Sequence, residues 1–250
     1  MEMMMTAMFW VSLAQIIMIN ILLSGDNAVV IALASRSLPP AQQKKAIFFG
    51  SFGAVVLRII LTFFAAYLLT LPYLKLAGAA LLLWIGVGLL KSDDDDAEIE
   101  GHSNLRAAIK TIIVADLVMS LDNVIGVAAA AKGSFVLLVL GLAISIPLII
   151  YGSTLLLKLM ERFPIIVTAG AGLLGWVAGE MALTDPAIVD WLNAHAHYLH
   201  KIVPAAGFVL VVVIGKWLSR KAEAESAAQA VEQQDVLETS EAKAGVARSV

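Results

Sequence analysis

Seven stretches of this chain are apolar for long enough to cross a bilayer, at about 9–34, 46–70, 72–91, 106–131, 134–157, 164–184 and 202–219. A crossing takes about 20 mostly apolar residues. Lipid offers no partner for exposed backbone N–H and C=O groups, so runs of this length fold as helices. Composition agrees. The chain is 60% hydrophobic and 15% charged, against about 25% charged in an ordinary soluble domain. The expected class is an all-α membrane protein with seven transmembrane helices. The first run exceeds the apolar part of a secretory signal, and no Ala-x-Ala-type cleavage site follows it. It is therefore expected to stay as a span.

Orientation follows from where Lys and Arg fall. Eleven lie on one side: Arg36, Lys44, Lys45, Lys91, Arg106, Lys110, Lys158, Arg162, Lys216, Arg220 and Lys221. Only three, Lys75, Lys132 and Lys201, fall on the other. Basic residues accumulate on the cytoplasmic side, so the N-terminus is expected outside and the C-terminus inside. The run Asp93-Asp94-Asp95-Asp96 shares the inner side, but acidic residues carry little weight in this rule.

A polar phrase occurs twice inside the apolar sequence. Ser24-Gly25-Asp26-Asn27 lies in the first run and Ser120-Leu121-Asp122-Asn123 in the fourth. Asn20 precedes the first serine by four positions, and Asp116 the second. Further on, Pro72, Gly78 and Trp84 match Pro164, Gly170 and Trp176 at a slightly smaller offset, the loop around Lys132 to Ser134 being shorter. Each copy holds three spans. An odd number turns the second copy over relative to the first, the inverted-repeat plan of many secondary transporters. The expected organisation is a first three-helix repeat at 1–91 and an acidic cytosolic loop at 92–105. A second, inverted three-helix repeat follows at 106–184. An outer segment with the seventh helix occupies 185–219, and a cytosolic tail, disordered or weakly helical, 220–250.

An aspartate deep in a span costs about 2.5–3.5 kcal/mol on insertion scales. Two matched copies therefore point to a site. Asn20, Ser24 and Asn27 fall at i, i+4 and i+7, on one helical face, and Asp116, Ser120 and Asn123 repeat it. Asp26 and Asp122 lie about 100° from the neighbouring Asn in an unbroken helix. Local unwinding would bring them into the same cavity. Gly25 suits that, because glycine tolerates non-helical dihedrals; Leu121 suits it less. Carboxylate, amide and carbonyl oxygens favour Mg, Ca or Mn, and the chain has no cysteine to offer a thiolate. Serine and asparagine in spans also bond between helices without any ligand.

Arg58, mid-way along the second run, is expected to pair with Asp116 or another intramembrane carboxylate, or to occupy the site as an internal cation. Glu180, in the outer part of the sixth run, is a candidate for an exit route or proton coupling, or a group that simply reaches water. His195, His197 and His200 have a spacing that can bring imidazoles together. An interfacial turn with Trp191 and Tyr198 in the headgroup layer is the simpler reading. Pro147, with Gly141 before it, marks a kink in the fifth run.

With both Asp-Asn phrases and the Trp84 and Trp176 segments in hand, the chain resembles the TerC family, in its YjbE-type members, over about residues 10–218. The resemblance implies seven spans, a bacterial plasma-membrane location, export of manganese(II), and kinship with the LysE group of exporters. Carried over by motif, it marks Asp26, Asn27, Asp122 and Asn123, with Asn20 and Asp116 as polar partners. The histidine cluster and the tail beyond Arg220 lie outside it.

No enzyme signature, nucleic-acid motif or resident cofactor is expected, and no Gly-rich phosphate loop points to ATP. The expected partners are the lipid bilayer, a divalent metal ion as cargo and protons as counter-substrate. Moving a divalent cation outward against 100 mV costs about 4.6 kcal/mol, hence the proton antiport. The rival readings are an exporter of small organic solutes such as amino acids, and a non-transporting membrane scaffold.

Overall fold

The computed structural model describes residues 7–22, 25–91, 101–131 and 134–248. Ser24, the aspartates at 93–96, Lys132 and the side chain of Asn20 lie outside the described residues. Among the described residues there are nine helices and no strand. The helices are α1 (Ala7–Leu22), α2 (Gly25–Ser35), α3 (Pro40–Leu68), α4 (Leu74–Lys91), α5 (Gly101–Ala131), α6 (Phe135–Arg162), α7 (Ile165–Leu183), α8 (Val189–His195) and α9 (Leu199–Arg248).

Among the described residues, five segments are long and apolar enough to cross a membrane: Pro40–Ala65, Leu74–Lys91, Phe135–Arg162, Ile165–Leu183 and Leu199–Ala222. The first apolar run comprises α1 and α2, of 16 and 11 residues, on either side of residues 23–24, which lie outside the described residues. The fourth run is the 31-residue α5, which carries Arg106, Lys110, Asp116 and Asp122. Of the two readings of the tail, the structure has the helical one, with α9 continuing to Arg248.

Helix ends follow local chemistry. Pro40 opens α3, where a missing N–H is harmless and the fixed φ suits the first turn. Ser134 caps α6 by accepting a bond from the Leu137 N–H at 3.3 Å. Pro147 sits inside α6, which continues through it to Arg162. The hydroxyls of Ser145 and Ser153 donate to the carbonyls of Gly141 and Ile149, at 2.9 and 2.8 Å. These hydroxyls are thereby satisfied without water.

Packing is led by α7 against α9 and α3 against α5, followed by α4 against α7 and α1 against α6. α2 meets α5, α6 and α7. α9 lies on α7 and α4 together. At the α7–α9 crossing, a Cβ added to Gly175 would fall 2.2 Å from the Gly207 carbonyl oxygen, and one on Gly207 equally close to that of Gly175. Backbones touch here, as small residues allow between membrane helices. The main apolar core takes Leu33, Leu82, Ile112, Leu174 and Val211 from α2, α4, α5, α7 and α9. A second cluster joins Ile16, Val55, Val127 and Leu142 from α1, α3, α5 and α6. Polar groups held between these clusters are isolated from the aromatic residues on the outer faces, among them Phe48, Phe63, Trp84 and Tyr151.

Candidate functional site

Arg58 is the largest fully buried side chain of the protein, at 1% exposure. A guanidinium cannot stay charged in such a place without counter-charge and acceptors. α3 supplies them by lying along α5. Nη2 of Arg58 donates to Oδ1 of Asp116 in an ion pair. Its Nε donates to the Ser120 Oγ at 2.9 Å, and the Ser120 hydroxyl donates on to Oδ2 of Asp116 at 3.2 Å. The three groups close a ring of charge-assisted bonds, and both α5 members are buried. The i, i+4 spacing of Asp116 and Ser120 is what puts them on one face.

Asp26 stands in the first turn of α2, where the helix dipole favours a negative charge. It accepts the backbone N–H of Asn27 at 2.8 Å. α2 packs against α5, so the two copies of the motif lie on neighbouring helices. Asn27 is buried and Asn123 half-buried.

Asp122 goes elsewhere. α5 is unbroken through Leu121, so six residues turn Asp122 about 120° away from Asp116. Its side chain is 40% exposed and pairs with Nζ of Lys75 on α4. The unwinding that would have drawn Asp122 into the cavity of Asp116 and Ser120 does not occur in this helix.

The sequence places Lys75 among the outer loop lysines. The structure buries it instead, with Nζ also donating to the Thr184 Oγ1 at 3.1 Å. Beside it, Asp185 accepts four backbone N–H bonds, from Tyr73 (2.9 Å), Lys75 (3.0 Å), Leu76 (3.1 Å) and Ala187 (2.8 Å). Three of the donors belong to the start of α4, and the carboxylate caps it. Tyr73 is held at a φ of 67°, a strained conformation for a bulky residue. Burial works against the charge on Asp185, but these N–H groups outweigh it and hold the carboxyl below the usual carboxylate range. The sequence signal for this clamp is slight: a Thr-Asp-Pro turn just past an apolar run.

Glu180 is exposed and accepts the indole N–H of Trp176 at 2.8 Å. The His197 and His200 rings lie 5.2 Å apart. His200 Nε2 bonds Asn193 Oδ1 at 3.0 Å, and His195 Nδ1 the Trp191 carbonyl at 3.1 Å. His195 also stacks on Trp191. Among the described residues no group of three or more His, Asp or Glu side chains is gathered to hold a metal ion. In this state Arg58 and Lys75 lie against two of the carboxylates in the way a bound cation would.

The chain matches the TerC family of integral membrane proteins over residues 5–223. It belongs to that family. Membrane protein YjbE of Bacillus subtilis strain 168 is 46% identical over 187 residues, covering 75% of this chain and 86% of that protein. Membrane protein YkoY of the same strain is 26% identical over 200 residues, covering 72% and 61%. The tellurium resistance protein TerC of Serratia marcescens is 38% identical over 84 residues, covering 32% of this TerC-family chain and 24% of its own length. No solved structure matches. Family membership and the long apolar helices make this an integral membrane protein.

Proposed function

We propose that this TerC-family chain exports divalent cations, manganese(II) foremost, from the bacterial cytoplasm through the cluster around Asp26 and Asp116, in exchange for protons. The observation that carries the reading is the burial of Arg58, Asp116 and Ser120 between apolar helices, with Asp26 on α2, which packs against α5. Intramembrane charges mark ion pathways far more often than they stabilise a fold. Their donors are hard oxygens, which suit Mn, Mg or Ca. Manganese in particular is what the resemblance implies. Export requires that the cation displace Arg58 and Lys75, or that these side chains return when it leaves.

Seven spans in two inverted halves belong to the same reading. It is supported by the helix pairing. Exchanging α1 and α2 with α5, α3 with α6, and α4 with α7 maps the α3–α5 contact onto α6 with α1 and α2, and α2–α7 onto α4–α5. The α4–α7, α3–α6 and α2–α5 contacts map onto themselves. The relative named for tellurium resistance is in keeping with ion handling at a membrane.

A second reading has a specific observation behind it. The cluster mixes carboxylates with Arg58 and Lys75, and a zwitterion such as an amino acid would meet both signs. Flux in liposomes tests the choice. Mn, Mg, Ca and amino acids are assayed in parallel, with Asp26→Ala and Asp116→Asn beside the wild type. The expected result is manganese flux abolished by either substitution in protein that remains folded. Undiminished manganese flux in the double variant would sink the cation site. Amino-acid flux alone would establish the second reading, and no flux of any solute a scaffold.

A further inference from the structure

We propose that the lysine- and arginine-rich end of the bundle carries a binding site for a phosphate group, at the junction of α2, α4, α7 and α9. A cavity of about 310 Å³ opens there, and its lining includes Arg36, Lys216, Arg220, Thr168 and Ser219. Among the described residues, none that lines it is acidic. Three cationic side chains and two hydroxyls thus converge on one space from three parts of the chain. Lys216, Ser219 and Arg220 fall at i, i+3 and i+4 of α9, on one face. Arg36 reaches in from the end of α2, positioned by a 2.9 Å bond from Nη2 to the Leu89 carbonyl.

The backbone adds to this field. Pro164, Val167 and Thr168 belong to the beginning of α7, so the positive end of a 19-residue helix faces the same cavity. Leu90 and Val167 supply an apolar wall. Trp217, 62% exposed, stands next to Lys216 on α9, as aromatic residues do at the membrane–water boundary. Basic pockets between helices at that depth take phospholipid head groups. The ligand chemistry is a phosphate mono- or diester anion, from an anionic phospholipid or from a soluble phosphate compound. The site lies outside the Arg58–Asp116 cluster and does not depend on the transport reading.

The test uses the full chain in nanodiscs. Wild type, Lys216→Gln/Arg220→Gln and the charge-matched control Lys158→Gln/Arg162→Gln are compared. One arm measures retention of phosphatidylglycerol over phosphatidylcholine by native mass spectrometry. The other measures thermal stabilisation by inorganic phosphate in pure phosphatidylcholine discs. General surface attraction, about fivefold per basic residue near a charged lipid surface, is lost equally in both double variants. Lys216→Gln/Arg220→Gln should lose phosphatidylglycerol retention well beyond the control, because it also removes the groups that line the cavity. Stabilisation by inorganic phosphate alone, lost in Lys216→Gln/Arg220→Gln, would assign the same site to a soluble ligand. Equal losses in the two double variants would reduce the effect to general surface charge and overturn the site, as would indifference of the wild type to both probes.

Discussion

At the scale of single residues, the ring of Arg58, Asp116 and Ser120 is the feature most exposed to substitution. Removing one member of a buried ion pair leaves the other charge uncompensated and costs about 3–5 kcal/mol. Arg58→Met should therefore lower stability by that order. Adding Asp116→Leu should restore most of the loss, because both charges then leave together. Denaturation of the single and double variants in detergent measures this, and additive losses would show that the two side chains are not coupled. Transport should be lost in Arg58→Met, in Asp116→Leu and in the double variant. Arg58 is legible in the sequence because an arginine in mid-span demands a counter-charge inside the bundle. Lys75 is not, because a lysine a few residues past a proline at the edge of a span looks like a loop residue. Its partner lies 47 positions away in sequence, and nothing local announces it. Asp185 is hidden in the same way, since its four N–H donors carry no side-chain signature.

At the scale of helices, the apolar runs are legible in the sequence, because length and composition alone mark a candidate span. The start of α4 gives a pH-dependent prediction. Asp185 has its folded carboxyl below the ordinary range, so the unfolded chain binds the proton more readily. The clamp thus contributes fully above the ordinary carboxylate value of about 3.9. Its contribution fades as pH falls through the lower folded value. Asp185→Asn should cost about 2 kcal/mol at neutral pH. The gap from wild type should close on acidification, as followed by thermal melts across pH. A gap that is constant with pH would mean that shape, not charge, fastens α4.

At the scale of the whole molecule, orientation and coupling are open to direct test. The chain has no native cysteine, so Ser92→Cys and His197→Cys provide clean reporters. In intact cells an impermeant thiol reagent should label the second and spare the first, from the basic asymmetry. The reverse pattern would invert the direction of transport. In vesicles, manganese export should quicken when the outer side is made acidic at fixed membrane potential. Protons reaching Asp26 or Asp116 would weaken the hold on metal and release it outward. Flux indifferent to the gradient would make the protein a uniporter or gated channel.

The fastening at the start of α4 also limits how such a machine can move. One carboxylate after α7 grips the N–H groups of Lys75 and Leu76 in α4 and of Tyr73 just before it, and α9 rests on both helices, meeting α7 backbone to backbone at Gly175 and Gly207. Parting α4 from α7 would break several charge-assisted bonds at once. These three helices are therefore best regarded as a chassis. The travelling parts would be α1, α2, α3, α5 and α6, which carry Asp26, Arg58 and Asp116. The Lys75–Asp122 pair then joins chassis to mover, and its making and breaking would register the stroke.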